Sequence, residues 1–478
     1  MTGQVRRVRA PSTAVRGWPV PCAWKETAVD SSSPNGSLAT SSTGSPPGPA
    51  TASPSGPGRA TVLLMSVAVG LCVASNYYAQ PLLDTIARDL RLSSAAASLV
   101  VTVAQVGYAV GLVFVLPLGD LLERRRLICG LTLATAGSLA LTAFASNTPL
   151  LLTGTALTGL LSVTAQVLVP FAADLAAPER RGQIVGTVMS GLVLGMLLAR
   201  TASGALATLG GWRTVYGVAA VAMVVLTLAL RRALPQHRGA AALRYPGLLR
   251  STARLLVEEP VLRARAALGL LAFACFSVLW TSLAFLLSGP GYGWSEGEIG
   301  LLGLAGAAGA VAAQAGGRLA DRGRTTLTTV VSAVLLLGSW ALLLAGAHHL
   351  AALLAGIVLL DLAHQGVHIS NQSLIYALRP EARGRLTSAY MTCYFTGGAV
   401  GSALAGAVYA RAGWSGVCAL GAVLSVALCL VWAATTPGVR AWWRRRVASS
   451  ELWPVAAAAV TAGAVLAVIA VALRVAMS

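Results

Sequence analysis

Charged residues are scarce in this chain of 478 residues, and this scarcity excludes an ordinary soluble protein. Only 11% of the residues are Asp, Glu, Lys or Arg, whereas soluble chains carry roughly 25%. The charges are also unbalanced, because 35 Lys and Arg residues against 16 Asp and Glu residues leave a formal net charge of +19. The cations stand in short clusters between apolar runs, with no basic domain that could form a groove for nucleic acid. We therefore expect no nucleic-acid partner.

Signatures of catalytic and metal sites are missing as well. The seven cysteines show no C-x-x-C or other metal spacing, and most lie in apolar runs, where cysteine acts as a small hydrophobe. The chain contains no G-x-x-x-x-G-K-[ST] or H-E-x-x-H motif, and its sole lysine is Lys25. The sequence therefore predicts no ATPase or other enzyme, no catalytic residue, no metal site and no cofactor.

What the chain has in abundance is apolar sequence, at 56% hydrophobic residues and a mean hydropathy of +0.73, together with 51 glycines. About 20 consecutive apolar residues form a helix that crosses a bilayer, and glycine lets such helices pack closely. We predict an all-α membrane protein. The twelve predicted spans are 60–80, 94–118, 127–146, 150–171, 184–206, 214–230, 266–288, 299–316, 327–347, 350–374, 386–409 and 416–435.

A long repeat divides these spans into two sets of six. P-E-R-R-G begins at Pro178 and P-E-A-R-G at Pro380, and the pair Gly-Trp follows each at the same offset of 202 residues. So long a period indicates two copies of one large unit. The sequence predicts two six-helix bundles, 59–230 and 266–436, related by a pseudo-two-fold repeat and joined by a basic cytoplasmic linker, 231–265.

The segments outside the repeat have distinct compositions. Residues 1–58 are rich in Ser, Pro, Gly and Thr, which predicts a disordered tail. Residues 437–451 are basic, and 452–473 are apolar and long enough to form a thirteenth membrane helix. The alternative for 452–473 is a tail along the membrane surface, although this stretch lacks the polar face that such a helix needs.

The basic residues predict the orientation in the membrane. If the N-terminal tail is cytoplasmic, the tail and alternate loops carry 29 Arg and Lys residues. The opposite loops then carry only Arg88, Arg91, Arg213 and Arg411. This asymmetry follows the positive-inside rule and predicts a cytoplasmic N-terminus in a plasma-membrane protein.

Two loops resemble the signature loop of the major facilitator superfamily, G-x-L-A-D-R-x-G-R-R. They read P-L-G-D-L-L-E-R-R-R-L-I from Pro117 and G-R-L-A-D-R-G-R from Gly317, with Asp120 and Asp321 at the acidic position. The first copy departs from the signature at several positions. N-Y-Y-A-Q-P-L-L, A-Q-V-L-V-P-F-A-A and S-N-Q-S-L-I-Y-A-L-R-P resemble its drug-efflux and sugar-efflux-like branch, which is related to arabinose efflux permeases.

The resemblance covers residues 60 to about 435 and implies a substrate site between two bundles that rock against each other. It implies a monomeric secondary active transporter of a small organic solute, working by proton-coupled efflux. Thr155 stands where many proton-driven members carry an arginine, which speaks against antiport. The alternatives are a sugar or metabolite uniporter or importer, and a non-transporting membrane sensor.

The tenth span carries the most informative cluster, D-L-A-H-Q-G-V-H. Asp361, His364, Gln365 and His368 are spaced i, i+3, i+4 and i+7, which places them on one helical face. Asp361 lies about 16 Å from the outer end of this span at 1.5 Å per residue. Our hypothesis is that Asp361 takes up and releases a proton, with His364 or His368 as its partner. The alternative is a buried network that only fixes helix packing.

Arg200 is the other charge inside a predicted span, and it lies near the outer end of the fifth. We expect its side chain to reach water at the membrane surface. The alternative is an outer latch in which Arg200 pairs with Asp84 or Asp89.

Two further groups are candidates by position. The resemblance implies a latch that closes the cytoplasmic side, formed by Asp120, Arg124, Arg125, Asp321 and Arg322. The alternative is that these charges only set the orientation in the membrane.

Polar and aromatic residues within the predicted spans are candidates for lining a mostly apolar substrate cavity. They are Gln105, Tyr108, Gln166 and Trp280, and the alternative for each is core packing. Tyr77 and Tyr78, at the end of the first span, are expected to be interfacial anchors.

Overall fold

The computed structural model describes residues 58–236, 244–306, 325–379 and 382–436, and within these ranges the chain forms helices and no strands. Three short 3-10 helices accompany the α-helices in these ranges. The α-helices are α1 Arg59–Ala74, α2 Leu83–Asp89, α3 Ser94–Phe114, α4 Leu118–Leu121, α5 Arg124–Ala143, α6 Thr148–Leu161, α7 Thr164–Leu175, α8 Arg181–Gly210, α9 Trp212–Ala233, α10 Tyr245–Glu258, α11 Pro260–Leu287, α12 Glu296–Leu301, α13 Thr325–Ala345, α14 Leu350–Tyr376 and α15 Arg383–Thr435.

Nine helical segments in the described part of the chain are long and apolar enough to cross a membrane. Two of them join neighbouring helices, α3 with α4 and α6 with α7, and α15 contains both of the last two predicted spans. The shorter apolar helix α1 corresponds to the first span, and the eighth span begins in α12. The prediction of an all-α membrane protein is confirmed.

Several helices begin where a side chain can bind the free backbone N–H groups of the first turn. Ser93 accepts from the backbone N–H of Ala96 at the start of α3, and Asn147 does the same for α6. Ser295 and Glu298 form a reciprocal capping box at the start of α12. These caps fix where α3, α6 and α12 begin.

The repeated Gly-Trp pair forms the same turn in both halves. Gly211 has φ 77° and Gly413 has φ 59°, a conformation that glycine adopts without the penalty of a Cβ. The indole N–H of Trp212 then donates to Asp89 at 3.0 Å, and that of Trp414 donates to the carbonyl of Leu343 at 2.8 Å. The repeat therefore encodes the sharp connection between the last two spans of each half.

The two halves meet through pseudo-equivalent helix contacts, α8 against α12 and α3 against α15. Gly204 packs on the backbone of Glu296, and Gly406 packs on the backbone of Ser94, a pair shifted by the same 202 residues. Glycine is needed at both places, because a Cβ would collide with the Glu296 carbonyl at Gly204 and with the Ser98 side chain and the Ser94 carbonyl at Gly406. These matched contacts show the pseudo-two-fold relation.

The first span ends earlier than predicted, at Ala74 rather than at residue 80. The chain turns there, and Ser75 donates to the carbonyl of Cys72 at 2.7 Å and lies 2.7 Å from the Ser162 hydroxyl. This turn carries Tyr77 and Tyr78 into the interior, where both are buried. The expectation that they anchor the membrane interface was wrong, because the turn after Ala74 places both rings inside the protein.

The structure changes the predicted basic linker, and several other predicted segments lie outside the described residues. The basic linker contains helix α10, and α11 begins at Pro260 within the predicted linker. The predicted tail, the basic segment 437–451 and the thirteenth helix lie outside the described residues. The same holds for the whole of the second signature loop, 317–324.

Candidate functional site

Arg200 lies at the contact between the two halves and is buried, with 2% of its surface exposed. Its Nε donates to Gln80 Oε1 at 2.7 Å. Its guanidinium carbon lies 3.8 Å from the ring centroid of Trp280 and 5.0 Å from that of Tyr77. Cation–π contacts of a desolvated guanidinium contribute about 2 kcal/mol or more. The aromatic rings therefore replace part of the hydration that Arg200 loses.

Asp361 reaches the same indole from α14. Its carboxylate is buried, and Oδ1 accepts the indole N–H of Trp280 at 3.1 Å. Its Oδ2 packs against the backbone of Gly306, where a Cβ would stand 3.2 Å away. Trp280 thus offers its face to the cation of the first half and its edge to the anion of the second half.

The predicted partners of Asp361 are bound elsewhere. The His364 Nε2 and the Tyr394 hydroxyl lie 2.7 Å apart, and the His368 Nδ1 and the Tyr390 hydroxyl lie 3.1 Å apart. The prediction that a histidine is the partner of Asp361 was therefore wrong. The reason is that α15 lies beside these histidines with two tyrosines at matching spacing.

Both predictions for Arg200, a side chain that reaches water at the membrane surface and an outer latch with Asp84 or Asp89, were wrong. Asp84 pairs with Arg88 at 2.9 Å, and Asp89 pairs with Arg213. The backbone of α12 and of the 3-10 turn after it, Leu302–Gly306, packs directly on the Arg200 segment at two glycines. This close approach covers the arginine and leaves it no path to the membrane surface.

A row of aromatic rings links the predicted cavity residues. The Tyr108 ring of the first half lies 4.1 Å from that of Phe395, and Gln166 Nε2 donates to the Tyr108 hydroxyl at 3.4 Å. From Phe395 the row continues through Phe273 at 5.2 Å. It then passes Phe276, 5.5 Å from Phe273, and reaches Trp280 at a further 6.2 Å.

The two remaining predicted glutamines, Gln105 and Gln365, lie outside this row of rings. Gln105 is 1% exposed, and among the described residues neither amide atom has a hydrogen-bond partner. Gln365 is partly exposed on the face of α14 that carries Asp361. The spacing of four in Tyr390 and Tyr394 was visible in the sequence, but nothing in it assigned them to the histidines.

A small cleft opens beside Arg200 and has room for about one water molecule. Its polar walls come from the first half and most of its apolar walls from the second. The lining residues are Gln80, Pro81, Arg200, Trp280, Leu283, Ala284 and Ile299.

The signature loop of the first half forms a cluster around Arg124. Its Nη1 lies 2.5 Å from Asp174 Oδ2, its Nη2 lies 3.8 Å from Asp120 Oδ1, and its Nε donates to the carbonyl of Gly119 at 3.1 Å. Arg125 donates to the carbonyl of Arg231. Asp174 was not among the predicted latch residues, although it lies just before the repeated P-E-R-R-G.

Asp321 and Arg322, the predicted counterparts in the second half, lie outside the described residues. At the opposite end of the molecule, Glu296 crosses between the halves. It accepts from the Thr85 hydroxyl and lies 3.9 Å from Arg88. This contact was also missed, because the sequence does not show which loops meet.

Comparison with known proteins gives a consistent result. The sequence model of the Major Facilitator Superfamily matches residues 65–347 and 290–476. The "Uncharacterized transporter YgaY" of Escherichia coli O157:H7 is 54% identical over 373 residues, which are 78% of this chain and 95% of that protein. The "Probable transporter SCO4007" of Streptomyces coelicolor is 36% identical over 380 residues, 78% of this chain and 86% of that protein.

Among solved structures, the nucleoside transporter NupG superposes with a TM-score of 0.63 at 14% sequence identity. The match covers 78% of this chain and 98% of NupG. At this level of identity the likeness shows the fold alone. None of these similarities confirms the predicted efflux branch.

Proposed function

The chain belongs to the major facilitator superfamily, and we propose that it moves a small organic solute across the plasma membrane by alternating access, coupled to protons that Asp361 carries. The observation that supports this role most is a buried carboxylate at the contact between the two halves. A charge within the membrane costs about 2.5–3.5 kcal/mol on insertion scales, so such residues usually serve a pathway or a proton relay.

Asp361 would exchange its proton with water when the two halves of the protein separate. Arg200 belongs to the first half, whereas Trp280 and Asp361 belong to the second. Opening at this end therefore separates the guanidinium from the indole and exposes the carboxylate to water. The ionisable groups that act on Asp361 are Arg200 and Tyr77 across the contact and Tyr394 on α15. His364 lies one turn along the same helix.

We infer two gates from the charged ends of the molecule. Glu296 with Thr85 and Arg88 would hold the outer side, on the orientation that the basic loops predict. Asp120 and Arg124 would act with the second signature loop on the cytoplasmic side. A monomer with a cytoplasmic N-terminus completes this proposal.

The direction of transport depends on whether solute and proton bind in turn or together. The motif resemblance predicts export in exchange for protons. Uptake by cotransport is a second candidate, and it is favoured by the position of Arg200 beside Asp361, since a carboxylate that neutralises the arginine also controls what else the arginine binds.

The test uses the full-length protein in liposomes that contain a pH-sensitive dye. Solutes from a growth screen of expressing and deleted strains are added under pH gradients of either sign. We expect one solute class to move protons, and Asp361→Asn to abolish proton movement while Asp89→Asn, at the membrane surface, retains it. Normal proton coupling in Asp361→Asn would remove this residue from the mechanism. Absence of flux under every gradient would favour the sensor.

A further inference from the structure

We propose that the transported solute is an organic anion whose carboxylate binds Arg200 and Gln80 in the cleft beside Trp280. This inference rests on the proposed transport function and names the substrate class of the same site. It is carried by two buried hydrogen-bond donors, Arg200 Nη2 and Gln80 Nε2, neither of which has a partner within the described ranges.

The two donors are held together by the molecule itself. Arg200 Nε donates to Gln80 Oε1 at 2.7 Å, so the amide nitrogen of Gln80 stands beside the guanidinium. Both side chains line the cleft. A pair of adjacent N–H donors, one of them charged, matches the two oxygens of a carboxylate. A buried donor left without a partner costs about 1–3 kcal/mol, and a bound carboxylate removes that cost for both groups.

The remaining walls select for the rest of the solute. A cationic solute is repelled by the guanidinium, and a neutral one accepts its hydrogen bond without the added attraction of an opposite charge. Leu283, Ala284 and Ile299 contribute apolar side chains to the lining of the same cleft, which suits a hydrocarbon or aromatic body attached to the carboxylate. Because the cleft has room for only about one water molecule, the solute enters only after the halves separate.

The arrangement also fixes the sign of the coupling between solute and proton. The Asp361 carboxylate and the solute carboxylate act on one guanidinium, because both stand at the Trp280–Arg200 contact. A proton on Asp361 removes the competing negative charge and strengthens solute binding, and by linkage the bound solute strengthens proton binding. Solute and proton therefore bind together, which is the coupling of cotransport.

The experiment measures thermal unfolding of the purified full-length protein with benzoate and hexanoate as probes. Benzamide, hexanamide and benzylammonium serve as neutral and cationic counterparts. We expect only the two carboxylates to raise the unfolding temperature, more strongly at lower pH. Arg200→Met should weaken their binding about tenfold to a hundredfold, the range for one charge-assisted hydrogen bond.

A second variant keeps the proposal testable if Arg200→Met does not fold. Gln80→Glu keeps the size and the acceptor oxygen but supplies a resident carboxylate to Arg200, so it should fold stably and lose the response to both anions. Arg213→Gln changes a partly exposed arginine that pairs with Asp89; it serves as control and should keep the response. Equal stabilisation by carboxylates and amides, or an unchanged response in Gln80→Glu, would overturn the proposal.

Radiolabelled benzoate in liposomes separates this inference from the transport function. If another solute moves with protons while neither carboxylate binds, the substrate class is wrong and the transport function stands. If benzoate binds through Arg200 but neither benzoate nor any solute of the growth screen moves under any gradient, the site stands and the transport function falls.

Discussion

Arg200 and Asp361 share one indole, with the guanidinium 3.8 Å from the centroid of the Trp280 ring and the carboxylate accepting the ring N–H at 3.1 Å. The two charges come from different halves of the protein and meet through the aromatic ring. A buried cation and a buried anion are thereby balanced only while the halves are in contact. This dependence makes the pair suited to a cycle in which the halves separate.

The first prediction concerns the energetic coupling of this pair. Arg200→Met should lower the stability by about 3 kcal/mol, because it leaves a buried carboxylate without its opposite charge. Asp361→Asn in the Arg200→Met background should restore part of that loss, with a coupling energy of about 0.5–3 kcal/mol. Thermal unfolding of the four purified proteins measures the cycle. Strictly additive effects would show that the two charges do not interact.

The second prediction concerns the helix contact that covers Arg200. A Cβ at Gly300 would stand 2.6 Å from the carbonyl oxygen of Arg200, so Gly300→Ala forces the halves apart at this point. We expect a cost of about 1–3 kcal/mol and a marked loss of transport at normal expression. Gly338→Ala, whose new methyl group meets nothing within 4 Å, is the matched control. Wild-type transport by Gly300→Ala would argue against closure through this contact.

The third prediction concerns the pH dependence of stability at the membrane surface. Hydrogen bonds from Arg213 and Trp212 lower the pKa of Asp89 in the folded protein. A carboxyl group with a lowered folded pKa contributes stability above its unfolded pKa of about 3.9. That contribution disappears as the pH falls through the folded value.

The measurement compares the unfolding temperatures of the wild type and Asp89→Asn between pH 7 and pH 3. We expect the wild type to be more stable at neutral pH and the difference to shrink at acidic pH. A difference that stays constant across this range would show that the ion pair has no stabilising role.

The fourth prediction concerns orientation. Glu179 and Gly291 are exposed at loops on opposite ends of the molecule, and the basic loops predict Glu179 on the cytoplasmic side. In a background without native cysteines, Gly291→Cys should react with an impermeant thiol reagent in intact cells, and Glu179→Cys should react only after permeabilisation. Labelling of both from outside would refute the twelve-span layout.

The sequence was sufficient for the class of fold and for part of the site. Apolar runs and the Gly211 and Gly413 repeats predicted two helical bundles, since span length and turn chemistry are local properties. The spacing of Asp361, His364 and His368 likewise predicted one polar face on α14. Local periodicity does not determine how that face is rotated relative to the neighbouring helices, and so does not show which helix it contacts.

That missing rotation explains the errors. Arg200 was expected at the surface because depth along a helix can be counted, whereas the direction of the side chain depends on which face of α8 meets α12. The pairing of His364 with Tyr394 and of His368 with Tyr390 requires the antiparallel register of α14 and α15. Such contacts are set by packing across long sequence separations.

The row of rings from Tyr108 to Trp280 has a consequence for energy conservation. The contact of Tyr108 with Phe395 joins the two halves through apolar ring surfaces, and such surfaces exclude water where they meet. A carrier with such a barrier can remain idle in an energised membrane without discharging the ion gradient. The aromatic residues would then matter most when no cargo is available.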